Sequence, residues 1–187
     1  MKKNDSLANH FLIAMPALKD PNFFHTVTYI CQHNHEGALG VIINRPAEMA
    51  LNEIFEQMDI APKTKAVGDY PVCFGGPVQM ERGFILHRSG SEWKSTLPVT
   101  ETVSLTTSRD LLEAMAVGEG PESPLITLGY AGWAAGQLEE EILDNAWLSV
   151  PASESVLFDL PFKDRWKAAA GGLGIDLDLL SSEAGHA

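Results

Sequence analysis

Apolar residues come in short runs along most of this chain, and the polar residues between them decide which runs are strands and which are helices. His10-Phe-Leu-Ile-Ala-Met15 is a compact apolar run closed by Pro16, which predicts a buried strand. After the Asp20-Pro21-Asn22 turn, alternation resumes from Thr26 to Gln32. Val27, Tyr29 and Cys31 fall on one face and Thr28, Ile30 and Gln32 on the other. Bulk on both sides predicts a strand inside a sheet. His33 to Gly37 is polar and reads as a turn, and Ala38–Asn44 as the return strand, stopped by Arg45-Pro46. Gly40 within it marks a bulge or a close backbone approach. Tyr29 to Pro46 is thus a hairpin around which the rest can be arranged.

The clearest helix follows, with Leu51, Ile54, Phe55 and Met58 at i, i+3, i+4 and i+7 and polar residues between them. Ala61–Asp69 reads as a loop. Val72–Phe74 is a short strand running into Gly75-Gly76-Pro77. Gln79–Gly83 reads as a turn, Phe84–Arg88 as the returning strand, and Ser89–Lys94 as a second turn. Thr102–Leu105 is a further strand. Thr107 or Ser108 should cap a helix over Arg109–Val117, whose apolar side is Leu111, Leu112 and Met115. Leu125–Leu128 is a strand feeding a Gly129-Tyr130-Ala131-Gly132-Trp133 turn. A helix over 134–143 comes next, with Ala134, Ala135, Leu138 and Ile142 inward and Glu139, Glu140 and Glu141 mostly outward. Ala146–Val150 closes the set of strands, Glu154–Phe158 and Phe162–Ala170 are terminal helices, and 1–9 and 181–187 are expected to be flexible. Strands and helices mix without regular alternation. That predicts an α+β fold, hairpin-rich and a single domain, in preference to a doubly wound parallel sheet.

Composition narrows the class. The 187 residues are 45% hydrophobic with a mean hydropathy of −0.03, as in a globule with its own core. No stretch approaches the roughly 18 apolar residues of a membrane span, and Met1–His10 lacks the apolar run of a signal peptide. Cys31 and Cys73 lie far apart, so free thiols and a cytoplasmic location are expected. The formal net charge is −12, and it is unevenly spread. Residues 1–100 carry 9 basic and 10 acidic side chains, residues 101–145 carry 1 and 9, and residues 146–187 carry 3 and 6. A phosphate backbone would be repelled by the middle segment, so direct nucleic-acid binding is disfavoured.

Four features could carry chemistry. Cys31, His33 and His35 would share a face if a strand ran through them, as a zinc site needs, but Asn34 and Gly37 favour a hairpin tip instead. Cys73 could be a nucleophile with His87, on the adjacent predicted strand, as its base; an apolar-flanked Cys is more often core. No G-x-S-x-G supports serine chemistry. Gly75-Gly76 and Gly129-x-x-Gly132-x-x-x-Gly136 could cradle an anion, the second at a helix start. The alternative is that these glycines permit tight turns and close strand packing, and it is favoured, since neither cluster matches a phosphate-binding motif. Asn44, Arg45 and Trp133 are the polar and aromatic groups nearest these turns.

His10 to Pro16, Tyr29 through His33-Asn34 to Asn44-Arg45-Pro46, Gly75-Gly76-Pro77-Val78, Arg82-Gly83-Phe84 through His87, Gly129–Trp133 with Gly136-Gln137-Leu138-Glu139, and Asn145-Ala146-Trp147-Leu148 together resemble the AlgH/YqgE family of bacterial cytosolic proteins. The C-terminal Ala184-Gly185-His186-Ala187 is similar as well. The resemblance implies a branched sheet closing into a partial barrel with helices packed around it. It implies a regulatory role, the family having been treated as transcriptional regulators linked to alginate synthesis. It implies no agreed enzymatic activity, cofactor, metal or catalytic residue, and it puts Cys31 at a variable position.

The leading expectation is therefore a cytoplasmic regulatory protein acting through a protein partner or a small ligand, with no membrane partner. The alternative is a small-molecule-binding protein or unrecognised enzyme. Its candidate ligand-binding residues are Asn44, Arg45, Gly75, Gly76, Pro77, His87, Gly129, Tyr130, Gly132 and Trp133, placed where the two glycine turns approach Asn44 and Arg45. A third option is a protein whose acidic 101–145 face meets a basic partner surface.

Overall fold

The computed structural model describes residues 5–16, 18–172 and 174. Ten described strands form one sheet. They are β1 (His10–Ala14), β2 (Val27–Asn34), β3 (Gly37–Ile42), β4 (Pro46–Ala50), β5 (Pro71–Phe74), β6 (Val78–Arg88), β7 (Thr96–Pro98), β8 (Val103–Thr106), β9 (Leu125–Ala134) and β10 (Trp147–Pro151). The main path runs β10-β1-β2-β3-β9-β6-β8-β7, and every pair along it is antiparallel. β4 and β5 leave that path: β4 pairs with β5, and β5 runs parallel to β9. The sheet thus branches at β9 and curls into a half-barrel with helices around it.

Strand periodicity explains why both faces of the sheet are apolar. Phe11, Ile13, Tyr29 and Leu86 point into the main core, which is covered by a π-helical turn (Ser155–Asp159) and the last helix. Their neighbours Leu12 and Ile30 point the other way with Trp133 and Trp147, and Ile85 joins Ile126 and Leu111 in a separate cluster. That separate cluster is covered by α1 (Leu51–Gln57) and α3 (Arg109–Ala116), with the short α2 (Lys65–Gly68) beside them. α4 (Gln137–Leu143) covers the Trp133–Trp147 cluster, and α5 (Phe162–Gly171) ends the described chain. The i, i+3, i+4 stripe read in Leu51, Ile54 and Phe55 is buried as expected. Glu53 bonds back to the Ala50 N–H at 3.3 Å, which fixes the start of α1.

Several local expectations need correction. The strand β2 runs on through His33 and Asn34, leaving a turn of His35 and Glu36. Gln79–Gly83 and Gly129–Trp133, both read as turns from their glycines and polar residues, lie inside the long strands β6 and β9. Ala134 and Ala135 consequently precede α4 and are exposed. The loop over 61–69 contains α2, and β4 and β7 form in Pro46–Ala50 and Thr96–Pro98, which have no clear alternation in the sequence. The Cys73 strand and the His87 strand are not adjacent, because β9 lies between β5 and β6. Residues 5–9 lie along β2, with Ser6 and Leu7 bonding to His33 and Asn9 N–H donating to the Ile30 carbonyl. The expectation for 181–187 lies outside the described residues.

Candidate functional site

β9 changes partners at Gly129. On one edge it carries β5 up to Leu128 and β3 from Ala131 onward. The chain leaving β5 threads this fork as Gly75-Gly76. Gly75 N–H donates to the Leu128 carbonyl and Ile42 N–H to the Gly75 carbonyl, both at 2.8 Å, while Phe74 N–H donates to the Arg45 carbonyl at 2.9 Å. A Cβ on Gly75 would overlap the Gly129 carbonyl, and one on Gly129 the Gly76 carbonyl. Gly76 and Gly129 also have φ of +156° and +75°. The two glycine clusters do meet beside Asn44 and Arg45, but backbone to backbone, because glycine lets two chains cross there. Gly136 starts α4 from an αL conformation, and Gly132 pairs with Leu39 in the β3–β9 ladder, so Gly129–Gly136 forms no loop around an anion.

The side chains around the fork are spent on the fold. Asn44 accepts the Val27 N–H at 2.8 Å and donates to the His25 carbonyl at 3.0 Å. Arg45 donates to the carbonyls of Pro21, Asn22 and Phe24 at 3.2, 2.6 and 2.8 Å, and partial burial lowers its pKa. Together they clamp the loop preceding β2. Trp133 is buried and donates its indole N–H to Glu141 Oε2, which also accepts the Trp147 indole N–H, each at 2.8 Å. Glu141 therefore faces the protein, while Glu139 stays exposed and pairs with the buried His33. His33 Nδ1 accepts the Leu7 N–H, which leaves Nε2 to donate to Glu139 at 2.9 Å.

The cysteine readings resolve in the same direction. A bulge between Ile30 and Gln32 puts Cys31 in the main core while His33 turns to α4, and His35 sits in the exposed hairpin turn. Among the described residues no three His, Cys, Asp or Glu side chains are grouped to hold a metal ion. Burial pushes the Cys31 thiol far up and the Cys73 thiol to about 12, the latter despite the nearby Arg165 guanidinium. His87 is buried with Nδ1 bonded to the Arg88 carbonyl at 2.9 Å and Nε2 bonded to Thr106 Oγ1 at 2.8 Å. It serves the sheet and does not reach Cys73.

Open binding capacity lies next to the fork, on β6. Val78 pairs with Tyr130 and Gly83 with Leu128, so residues 79–82 of β6 stand opposite the single residue Gly129. The excess chain lifts off as an arch, with Gln79 at φ +48° and residues 79–82 all exposed. Beneath it, between α1 and α3, is a cleft of about 470 Å³. Ile54, Ile85, Leu112, Ile126 and Leu128 are among its apolar lining, and Met49, Met58 and Met80 line it as well. A second, more open depression of about 450 Å³ on the other flank is lined by Arg82, Lys94, Ser95, Thr96, Phe84 and Tyr130, among others. Arg82 and Thr107 line both cavities and bond to each other at 3.2 Å. None of these positions except Tyr130 stood out as a ligand residue in the sequence. The available signal was three methionines converging on one apolar face, which sequence spacing does not reveal.

Fold and site define a class: a branched half-barrel whose glycine-rich centre is closed by its own backbone and which carries an apolar cleft at its rim. The chain belongs to the AlgH-like family, whose model matches residues 11–178. It is 57% identical over 187 residues to a UPF0301 protein of Thioalkalivibrio sulfidiphilus, covering all of both chains. It is 59% identical over 180 residues to one of Methylococcus capsulatus, covering 96% of each. The solution structure of the AlgH protein from Pseudomonas aeruginosa matches with a TM-score of 0.83 at 50% identity, over 100% of this chain and 99% of that one. The names of these relatives assign no molecular activity.

Proposed function

We propose that this protein is a regulatory ligand-binding protein. A small, largely apolar molecule seats in the cleft beneath the β6 arch, and the occupied arch is recognised by a partner protein. The carrying observation is the cleft itself: about 470 Å³, apolar in its depth, polar at its rim and open to solvent. That volume lies in the roughly 300–1,000 Å³ range of small-molecule sites. Methionine walls suit such a site, since their unbranched thioethers repack around ligands of different shape. Any part in transcription is indirect, because a chain of net charge −12 repels a phosphate backbone. A cytoplasmic setting fits this role, and no helix among the described residues is long and apolar enough to cross a membrane.

Gly83 offers the test. It lines the cleft, and a Cβ there would meet nothing within 4 Å. Gly83→Phe should therefore fill the cleft while shifting the Tm of the free protein by no more than about 2 °C. Compounds that raise the Tm of the wild type in a screen of small apolar molecules should lose that effect in Gly83→Phe. Equal shifts in both proteins would place binding elsewhere and defeat the proposal, as would a screen in which no compound binds.

A further inference from the structure

We infer that the ligand of this cleft is an anionic amphiphile, a carboxylate or phosphate monoester on an apolar body. Its tail lies beneath the arch and its head lies on the far flank, between Arg82 and Lys94. The inference rests on the cleft being a ligand site and adds what the site selects. The apolar floor of the cleft, Ile54, Ile85, Leu112, Ile126 and Leu128, gives a polar head no partner, so the head must sit at the rim. On the cleft side of that rim Arg109 is already paired with Glu113 at 2.6 Å, and Glu81 would repel an anion. The other flank has the opposite balance. Arg82 and Lys94 line it with the hydroxyls of Ser95, Thr96 and Thr107, and among the described residues no carboxylate does. Asp110 lines neither cavity, but it accepts the Lys94 backbone N–H at 2.9 Å and lies near the Lys94 ammonium, so Arg82 is the cation of this flank whose bonds go to neutral partners.

Arg82 is built to receive such a head. Its guanidinium bonds two neutral acceptors, Thr107 Oγ1 at 3.2 Å and Gln79 Oε1 at 3.5 Å, and lies 5.7 Å from the centre of the Phe84 ring. Exchange of these long bonds for a carboxylate or phosphate would supply shorter, charge-assisted and bidentate ones. Arg82 and Thr107 line both cavities, so a head bonded to Arg82 stands at the boundary between them.

Isothermal titration of the full chain with decanoate, decyl phosphate, 1-decanol and inorganic phosphate decides the matter. Decanoate and decyl phosphate should bind at least about tenfold more tightly than decanol, the ratio of one charge-assisted contact. Whichever of the two binds more tightly identifies the head group as carboxylate or phosphate. Arg82→Gln should bring both down to the affinity of decanol without changing decanol's own. Gly83→Phe should abolish binding of all three. If decanol binds as tightly as the acids, or Arg82→Gln leaves the ratio intact, the head-group assignment falls while the cleft remains a ligand site. If inorganic phosphate binds as tightly as decyl phosphate, the flank is a simple anion site and the amphiphile is overturned. If none of the decyl compounds binds, or all bind Gly83→Phe unchanged, the cleft itself fails and the inference fails with it.

Discussion

The fork at Gly129 and the arch over residues 79–82 face each other across the same pair of strands, yet they use the chain in opposite ways. At the fork three glycines let two backbones pass in contact, and the carbonyls and N–H groups there are bonded across it. At the arch four consecutive residues leave the ladder, and their side chains stand in solvent above an apolar cleft. Glycine marks where backbone needs room. A ligand needs room of another kind, made by lifting side chains off a sheet and leaving their polar groups with weak partners. The residues most suggestive in the sequence are thus the most fully committed to architecture.

Substitutions can break or sharpen that contrast, and the largest effect belongs to the fork. Gly129→Ala combines a positive φ with overlap against the Gly76 carbonyl, and Gly76→Ala overlaps the Tyr130 carbonyl. Each should cost at least about 4 kcal/mol, a large part of the ~5–15 kcal/mol of a typical domain. Gly83→Ala at the edge of the arch should change stability by less than about 1 kcal/mol, since its Cβ enters open space. Urea unfolding of the three variants measures this directly. A tolerated Gly129→Ala would mean the fork is loose enough to be a site.

Glu141→Ala comes next. It leaves the Trp133 and Trp147 indole N–H groups without their acceptor, at about 3 kcal/mol for the pair. Glu141→Gln, which keeps an acceptor oxygen, should recover more than half of that. Arg45→Ala should cost less, about 1.5 kcal/mol, because the carbonyls of Pro21, Asn22 and Phe24 that it releases lie in exposed segments where water can replace it. Ligand-induced shifts should survive in Arg45→Ala. Their loss with stability unchanged would return Arg45 to the ligand and reverse the comparison.

Most of the fold is legible in the sequence because it follows from periodicity. The β2–β3 hairpin, the Leu51–Met58 stripe, the α3 face and the strand at Leu125 are all visible as local patterns, and the motif blocks point to the half-barrel. What is not legible is non-local. Nothing near Gly129 reveals that the chain continues straight as a strand, because the partner that makes its glycines necessary, Gly75-Gly76, lies more than fifty residues away. Glu139 is exposed as its composition suggests, but the partners that Glu139 and Glu141 bond, His33 for one and Trp133 and Trp147 for the other, are set only by the fold. The cleft is less visible still, since Met49, Met58, Met80 and Leu112 come from four separate elements or segments.

The smallest effect on stability should come from Arg82→Gln. Arg82 is exposed, its two acceptors are neutral, and the longer of its bonds is at the limit of a hydrogen bond. Loss of the guanidinium should therefore change the unfolding free energy by no more than about 0.5 kcal/mol, within the range of ordinary surface substitutions. A larger cost would mean that Arg82 holds the arch in place, and its variant would then report on the shape of the cleft as well as on charge. Arg82→Lys separates the two effects, since it keeps the charge but cannot present the planar fork. A stable Arg82→Lys with intermediate affinity for decanoate would show charge and geometry contributing separately at the arch. At the fork, where a single methyl group is expected to be intolerable, no such graded series exists.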